Sequence, residues 1–169
     1  MKINLTHKSA QEINQKFSFF TEENWQTEKA HFNQNLEGIF SAKKDETFIV
    51  VEDEKVHFLI GLGENPQNFE IQASAEKFTY DFRKKLKATN TEINADSFKN
   101  HQIESLVKGL FLGTYEYPFK AEHPIFNADF QLILSDISEE NLQDLITKTS
   151  AICEGQFACM EWLNKPQNF

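Results

Sequence analysis

Arginine is nearly missing from this chain: Arg83 is its single occurrence. Lys and Arg together number 17 against 26 Asp and Glu, for a formal net charge of -9. An acidic chain repels a phosphate backbone, and nucleic-acid binding usually needs a basic stripe, so a nucleic-acid partner is not expected. The one basic cluster, Arg83-Lys84-Lys85 with Lys87, reads as a solvated helix face. Cysteine is scarce too. Cys153 and Cys159 stand six residues apart, about 600° around a helix, so they point in different directions. Neither a disulfide framework nor CxxC is present. Free thiols suit a reducing cytosol, and a cytoplasmic location is expected. Long apolar runs are absent: the stretch "FLIGLG" (58–63) is far too short to span a bilayer. "MKINLTHKSAQ" has no apolar core of a secretory signal. No membrane partner is expected.

What is there suits one globular domain. A chain of 169 residues with 40% hydrophobic residues has enough apolar surface for a core without staples, and 17 of its residues are Phe. Strand patterns occur at 2–6, 16–20, 47–51, 55–63 and 128–135, with a weaker one at 91–94. Glu52-Asp53-Glu54 reads as a hairpin turn between 47–51 and 55–63. The run "ADFQLILS" has little alternation, which predicts a central strand.

Helical periodicity appears in 69–87 through Ile71, Ala75, Phe78, Phe82 and Leu86. It appears in 101–112 through Ile103, Leu106, Val107, Leu110 and Phe111. It appears again in 139–163 through Leu142, Leu145, Ile146, Ile152, Cys153 and Met160, with Ser138 placed to cap the start. A shorter helix is expected over 27–37 on Ala30, Phe32 and Leu36. Interleaved strands and helices predict an α/β fold with helices packed on a sheet, and the local hairpin makes that sheet mixed. The last stripe runs nearly to the end, so its helix should be docked. Pro166 then stops it and directs Lys165 into an extended conformation, as at the start of a connector.

Signals for chemistry are weak. His7, His31, His57, His101 and His123 form no metal spacing, and HExxH is absent. His57 alternates within a strand and should face solvent or a satisfied niche. His123, in a loop before Pro124, is the one histidine to examine as a site. The acidic pairs at turns and helix starts do not suggest a two-metal centre. Cys153 and Cys159 lack the electropositive setting of a catalytic thiol. In "IGLGENPQNFE", Gly61 and Gly63 would permit a tight turn before a helix start that could hold an anion. The full GxGxxG is missing, and a plain strand–turn–helix is the simpler reading.

Several segments taken in order resemble the amino-terminal domain of the cytosol leucine aminopeptidase family. They are "FLIGLGE" (58–64), "LVKGLFLGTYEYPFK" (106–120) with Gly113, Tyr115, Phe119 and Lys120, the strand near 130–134, and "EWLNKPQN" (161–168). The last is similar to the family's Asp-Leu-x-Asn-x-Pro-x-Asn junction, with Asn164, Pro166 and Asn168 in step. Cys159-Met160-Glu161 stands where the family has Ala-Arg-Asp, which keeps the acid and loses the Arg. The resemblance covers the chain from about residue 47 onward.

The resemblance implies a macro-domain-like three-layer fold, with residues 1–163 as one domain and 164–169 as the start of a linker. It implies a following catalytic domain that hydrolyses amino-terminal residues from peptides with two divalent metals (Zn, Mn or Mg). The metal-binding signature Asn-Thr-Asp-Ala-Glu-Gly-Arg is absent here. It further implies that the catalytic domain is the partner, that the whole enzyme is a hexamer, and that this domain serves assembly and stability. Gly113, Tyr115, Lys120, Asn164, Pro166 and Asn168 would be structural. The alternative is a free-standing macro-like module that binds a phosphate-bearing small molecule at Gly61 and Gly63; a small acidic interaction protein is a further one.

Overall fold

The computed structural model describes residues 2–6, 15–52, 55–82, 91–94, 98–115, 129–133 and 139–164. Six strands form one sheet: β1 (Lys2–Thr6), β2 (Gln15–Thr21), β3 (Thr47–Glu52), β4 (Lys55–Gly63), β5 (Thr91–Asn94) and β6 (Asp129–Ile133), in the order β1-β6-β5-β2-β4-β3. All neighbours are parallel except β3 and β4, whose antiparallel register ends on Glu52↔Lys55. That register agrees with the expected hairpin, whose turn residues Asp53 and Glu54 lie outside the described ones. The expected strand at 128–135 is β6, held between β1 and β5.

Alternation decides the two faces. Phe17 and Phe19 of β2, Phe58, Ile60 and Leu62 of β4, and Ile93 of β5 point one way into the larger core. Helices α2 (Asn68–Phe82), α3 (Asn100–Leu112) and α4 (Glu139–Asn164) cover that face. Aromatic rings fill it. Phe17 meets Phe58 and Phe78 edge-on, at centroid distances of 5.0 and 4.6 Å, and Phe78 stacks on Phe82 at 4.8 Å. Each such pair adds about 0.5–1.5 kcal/mol beyond its buried area. The other face carries a smaller cluster of Phe20, Trp25, Leu36, Phe40, Ala42, Val50 and Leu59. The layers are therefore helices, mixed sheet, and a short helix with its following segment, as the α/β three-layer reading expects.

The stretch 27–37 departs from the expected helix. Helix α1 runs over Glu22–Glu28, with Thr21 Oγ1 accepting from Asn24 N at 3.1 Å, and passes into a single 3-10 turn over Lys29–His31. Asn33, Asn35 and Gly38 are poor helix formers. Tertiary bonds take the segment instead. Trp25 Nε1 donates to Phe40 O at 2.8 Å, Asn33 N to Glu52 Oε1 at 2.9 Å, and Gln34 Nε2 to Val51 O at 3.2 Å. Ala30, expected on the inward stripe, is exposed, while Leu36 is buried together with Phe40, which lies beyond the expected end.

Helices α2 and α3 touch backbone to backbone. A Cβ added at Gly109 would strike Gln72 O and stand 2.8 Å from Ala75 Cβ; one added at Gly113 would strike Glu76 O and stand 2.6 Å from Thr79 Cβ. Gly155, on the outer side of α4, has nothing within 4 Å of its missing Cβ. The substitutions Gly109→Ala and Gly113→Ala are expected to lower unfolding free energy by about 1–3 kcal/mol each through overpacking. Gly155→Ala should raise it by roughly 0.5–1 kcal/mol, the helix-propensity gain. Urea unfolding of the three variants checks the opposite signs.

Candidate functional site

At the carboxyl end of β4 the glycines lie under the chain's own backbone. Segment 41–46 passes over them. A Cβ at Gly61 would strike Lys43 O and sit 2.6 Å from Ala42 C, so only glycine allows this approach. Gly61 N donates to Glu46 O at 2.8 Å and Gly63 N to Ala42 O at 2.9 Å. Both amides are thus engaged within the chain. The strap is held in shape by Glu46, whose Oε2 accepts from Ser41 N, Ser41 Oγ and Lys43 N at 3.0, 3.0 and 3.1 Å. That clamp supports two left-handed residues, Ala42 at φ 59° and Asp45 at φ 64°. Such a conformation costs an L-residue roughly 1–2 kcal/mol.

The start of α2 is likewise answered from inside. Glu70 Oε2 accepts from Gln67 N at 2.9 Å, and Glu70 Oε1 from Lys44 Nζ at 2.6 Å. The Gln67 amide, and then Lys44, hold the Glu70 carboxyl below its ordinary value. The same hydrogen bond raises Lys44.

The residues singled out by the family resemblance fall into different roles. Gly113 is the second contact of α3 on α2. The Tyr115 ring stacks on Phe157 of α4, with centroids 4.9 Å apart and planes 17° off parallel. Lys120, Pro166 and Asn168 lie outside the described residues, and Asn164 is the last residue of α4. His123, Ser138, Leu86 and the Arg83 cluster also lie outside them. The stripe of α4 differs from the expected one. Its buried positions are Leu142, Ile146, Thr149, Cys153 and Phe157, whereas Ile152 is 52% and Met160 41% exposed. The pure 4-3-4-4 spacing was obscured by Thr149, a polar residue at an inward position. Docking therefore ends at Phe157, and Trp162 and Leu163 are each 74% exposed.

The second face of the sheet holds a polar crevice of about 590 Å³ that sequence reasoning missed. It lies among β2, β4, β5 and α1, and its lining includes Lys16, Ser18, His57, Asn94 and Glu28. Lys16 Nζ stands 3.5 Å from Glu92 Oε1, and Glu92 is only 8% exposed. His57, half-buried, meets the Phe32 ring edge-on at 6.2 Å. Burial, and then the Lys16 charge, push the His57 pKa down, while Glu52 and Glu92 pull it up and Lys55 opposes them. The only advance signal was the odd polar residues of β2, β4 and β5, which share one face by register: Lys16 pairs with His57 on one side and Glu92 on the other.

Other candidate groups stay apart. Cys153 is fully buried, and burial pushes its thiol up to about 11. Cys159 is exposed. Among the described residues no three His, Cys, Asp or Glu side chains gather where a metal ion could be held. These residues therefore do not fit a divalent metal. No helix among them is long and apolar enough to cross a membrane.

Four outcomes are expected. Gly61→Ala should cost at least about 1–3 kcal/mol in urea unfolding, because backbone rather than a flexible tip must yield. A thiol reagent should modify Cys159 in the folded chain and Cys153 only after denaturant is added, read as one and then two thiols released. As pH falls through 6.5, the ordinary histidine value, the unfolded chain takes up a proton that folded His57 resists, so stability declines. His57→Gln should flatten that limb. The Glu70 contribution is present above the ordinary carboxylate value of 4.5 and is lost at lower pH, as the carboxyl titrates through its depressed folded value. Glu70→Gln should remove only this second limb.

Compared with known proteins, the chain matches no protein-family description, and no curated protein matches it in sequence. Solved structures do match it. A tomato leucine aminopeptidase mutant, K354E, superposes with a TM-score of 0.72 at 15% identity, over 92% of this chain and 36% of that one. The bottromycin maturation enzyme BotP in complex with Mn superposes at 0.58, with 13% identity, over 85% of this chain and 30% of that one. The same enzyme in a second structure gives 0.56 at 14% identity. The chain thus spans about a third of the proteins it is similar to, and its mixed α/β fold is one that leucine aminopeptidase carries within a larger chain.

Proposed function

We propose that this chain is the non-catalytic amino-terminal domain of a leucyl-aminopeptidase-type metallopeptidase. The observation that carries the reading is the superposition of nearly the whole chain, 92%, on little more than a third, 36%, of a leucine aminopeptidase. The residue chemistry supports it. Gly113 and Tyr115, singled out by the resemblance, lie against α2 and against Phe157 of α4, which favours a packing role. The described residues offer no ligand set for a metal. In the parent enzyme, divalent ions (Zn, Mn or Mg) held by another domain would supply the activated water.

The domain's own task is then structural: residues 1–163 as the folded unit, 164–169 as the connector, contributing to stability and to a hexameric, cytoplasmic enzyme. The exposed end of α4, with Met160, Trp162 and Leu163, supports a contact beyond this domain, since a large exposed apolar patch marks an interaction surface. The Gly61 and Gly63 amides already bond to carbonyls of the strap, which weighs against a phosphate group at that turn.

The purified chain, supplied with Mn²⁺ or Zn²⁺ and leucine anilide, is expected to show no hydrolysis above a metal-only control. Turnover by the chain itself would place catalysis here and overturn the reading. The natural reading frame is expected to continue beyond Phe169 into a metal-binding module, and a stop codon in that place also overturns it.

A further inference from the structure

The polar crevice on the second face has no part in the domain's structural role, and a ligand held there is independent of that role. Its volume, about 590 Å³, is room for a small ligand. It runs along the face of the sheet: Lys16 and His57 stand paired near the amino ends of β2 and β4, and Ser18 and Asn94 pair farther along.

Its charges are arranged in two poles. On the sheet side, the Lys16 ammonium makes a loose ion pair, at 3.5 Å to Glu92, and has three protons to give. The His57 ring lines the crevice with it. On the α1 side, Glu28 Oε2 meets His31 Nδ1 at 3.3 Å, while Glu52, at the end of β3 and near His57, accepts from Asn33 N through Oε1 at 2.9 Å. Each of these carboxylates retains further acceptor capacity. Phe20 and Phe32 add apolar surface. A simple anion would face the carboxylates, and a simple cation would face Lys16. A molecule bearing both charges answers both poles.

We propose that this crevice binds a zwitterionic α-amino acid or dipeptide, its carboxylate toward Lys16 on the sheet and its ammonium toward Glu28 on α1. The test is an NMR titration of the whole chain with leucine and leucyl-glycine, set beside N-acetyl-leucine and leucine amide. Saturable shifts of the His57 ring signals are expected for the two zwitterions. Each single-charge analogue should bind about tenfold more weakly or worse, since each lacks one charge-assisted contact. The paired substitution Lys16→Met with Glu92→Gln removes the cation without leaving a buried carboxylate uncompensated, and should lose affinity to the same degree. The proposal is overturned if neither zwitterion saturates by about 10 mM, the weak limit of small-ligand binding. It is equally overturned if the analogues bind as well as leucine, or if the paired variant binds unchanged. Should that variant not fold, the analogue comparison decides alone, because it needs no substitution.

Discussion

The backbone contact between α3 and α2 is the constraint on which the helical layer depends. Gly109 and Gly113 let carbonyls of α2 approach where any side chain would collide. With α3 drawn in this far, Ile103, Leu106, Val107 and Leu110 become fully buried. The end of α3 then delivers Tyr115 to Phe157, and Cys153 Sγ lies 4.0 Å from Lys108 O. Helix α4 is therefore seated by α3 along its inner stripe and released beyond Phe157. Close packing leaves little tolerance at such a crossing, because interiors are as dense as organic crystals.

The two faces of the sheet show how one alternating pattern yields two environments. Odd-numbered residues of β2 meet even-numbered residues of β4 in an aromatic layer closed by three helices. The opposite positions face a short helix and an irregular strap, which cover only part of the sheet. Where they cover it, Trp25 and Phe40 make a dry cluster joined by an indole hydrogen bond. Where they do not, Lys16, His57 and Glu92 remain as a polar floor. A buried carboxylate such as Glu92 is tolerable there because Lys16 answers it.

The carboxyl end of β4 looks in sequence like a phosphate loop and in three dimensions like its own plug. Gly-x-Gly serves in both settings for the same reason: it lets another group come close to the backbone. Here that group is the Ala42–Lys43 backbone, organised by the Glu46 carboxylate. The helix behind it is served by Glu70, a negative group at the positive end of a helix. Local and tertiary partners occupy what an anion would otherwise use.

Much of this was legible in the chain. Strand period and turn chemistry placed β4 and β5 at their observed bounds, and the acidic hairpin made the sheet mixed, because alternation and helical periodicity are local properties. Gly113 and Tyr115, which the family resemblance singles out, both make contacts between helices. Three things were not legible. The 27–37 stretch had helical spacing, yet long-range bonds from Trp25, Glu52 and Val51 held it in another form. The inner stripe of α4 passed through Thr149, so apolarity alone misaligned it. The crevice joined residues from three strands and a helix, far apart in the chain. Short-range pattern by itself determined the elements outside 27–37, the mixed α/β class and the acidic, thiol-bearing character. Only the tertiary structure decided what fills the glycine turn, where α4 lets go of the core and which polar side chains meet, because those depend on distances between segments that no local pattern encodes.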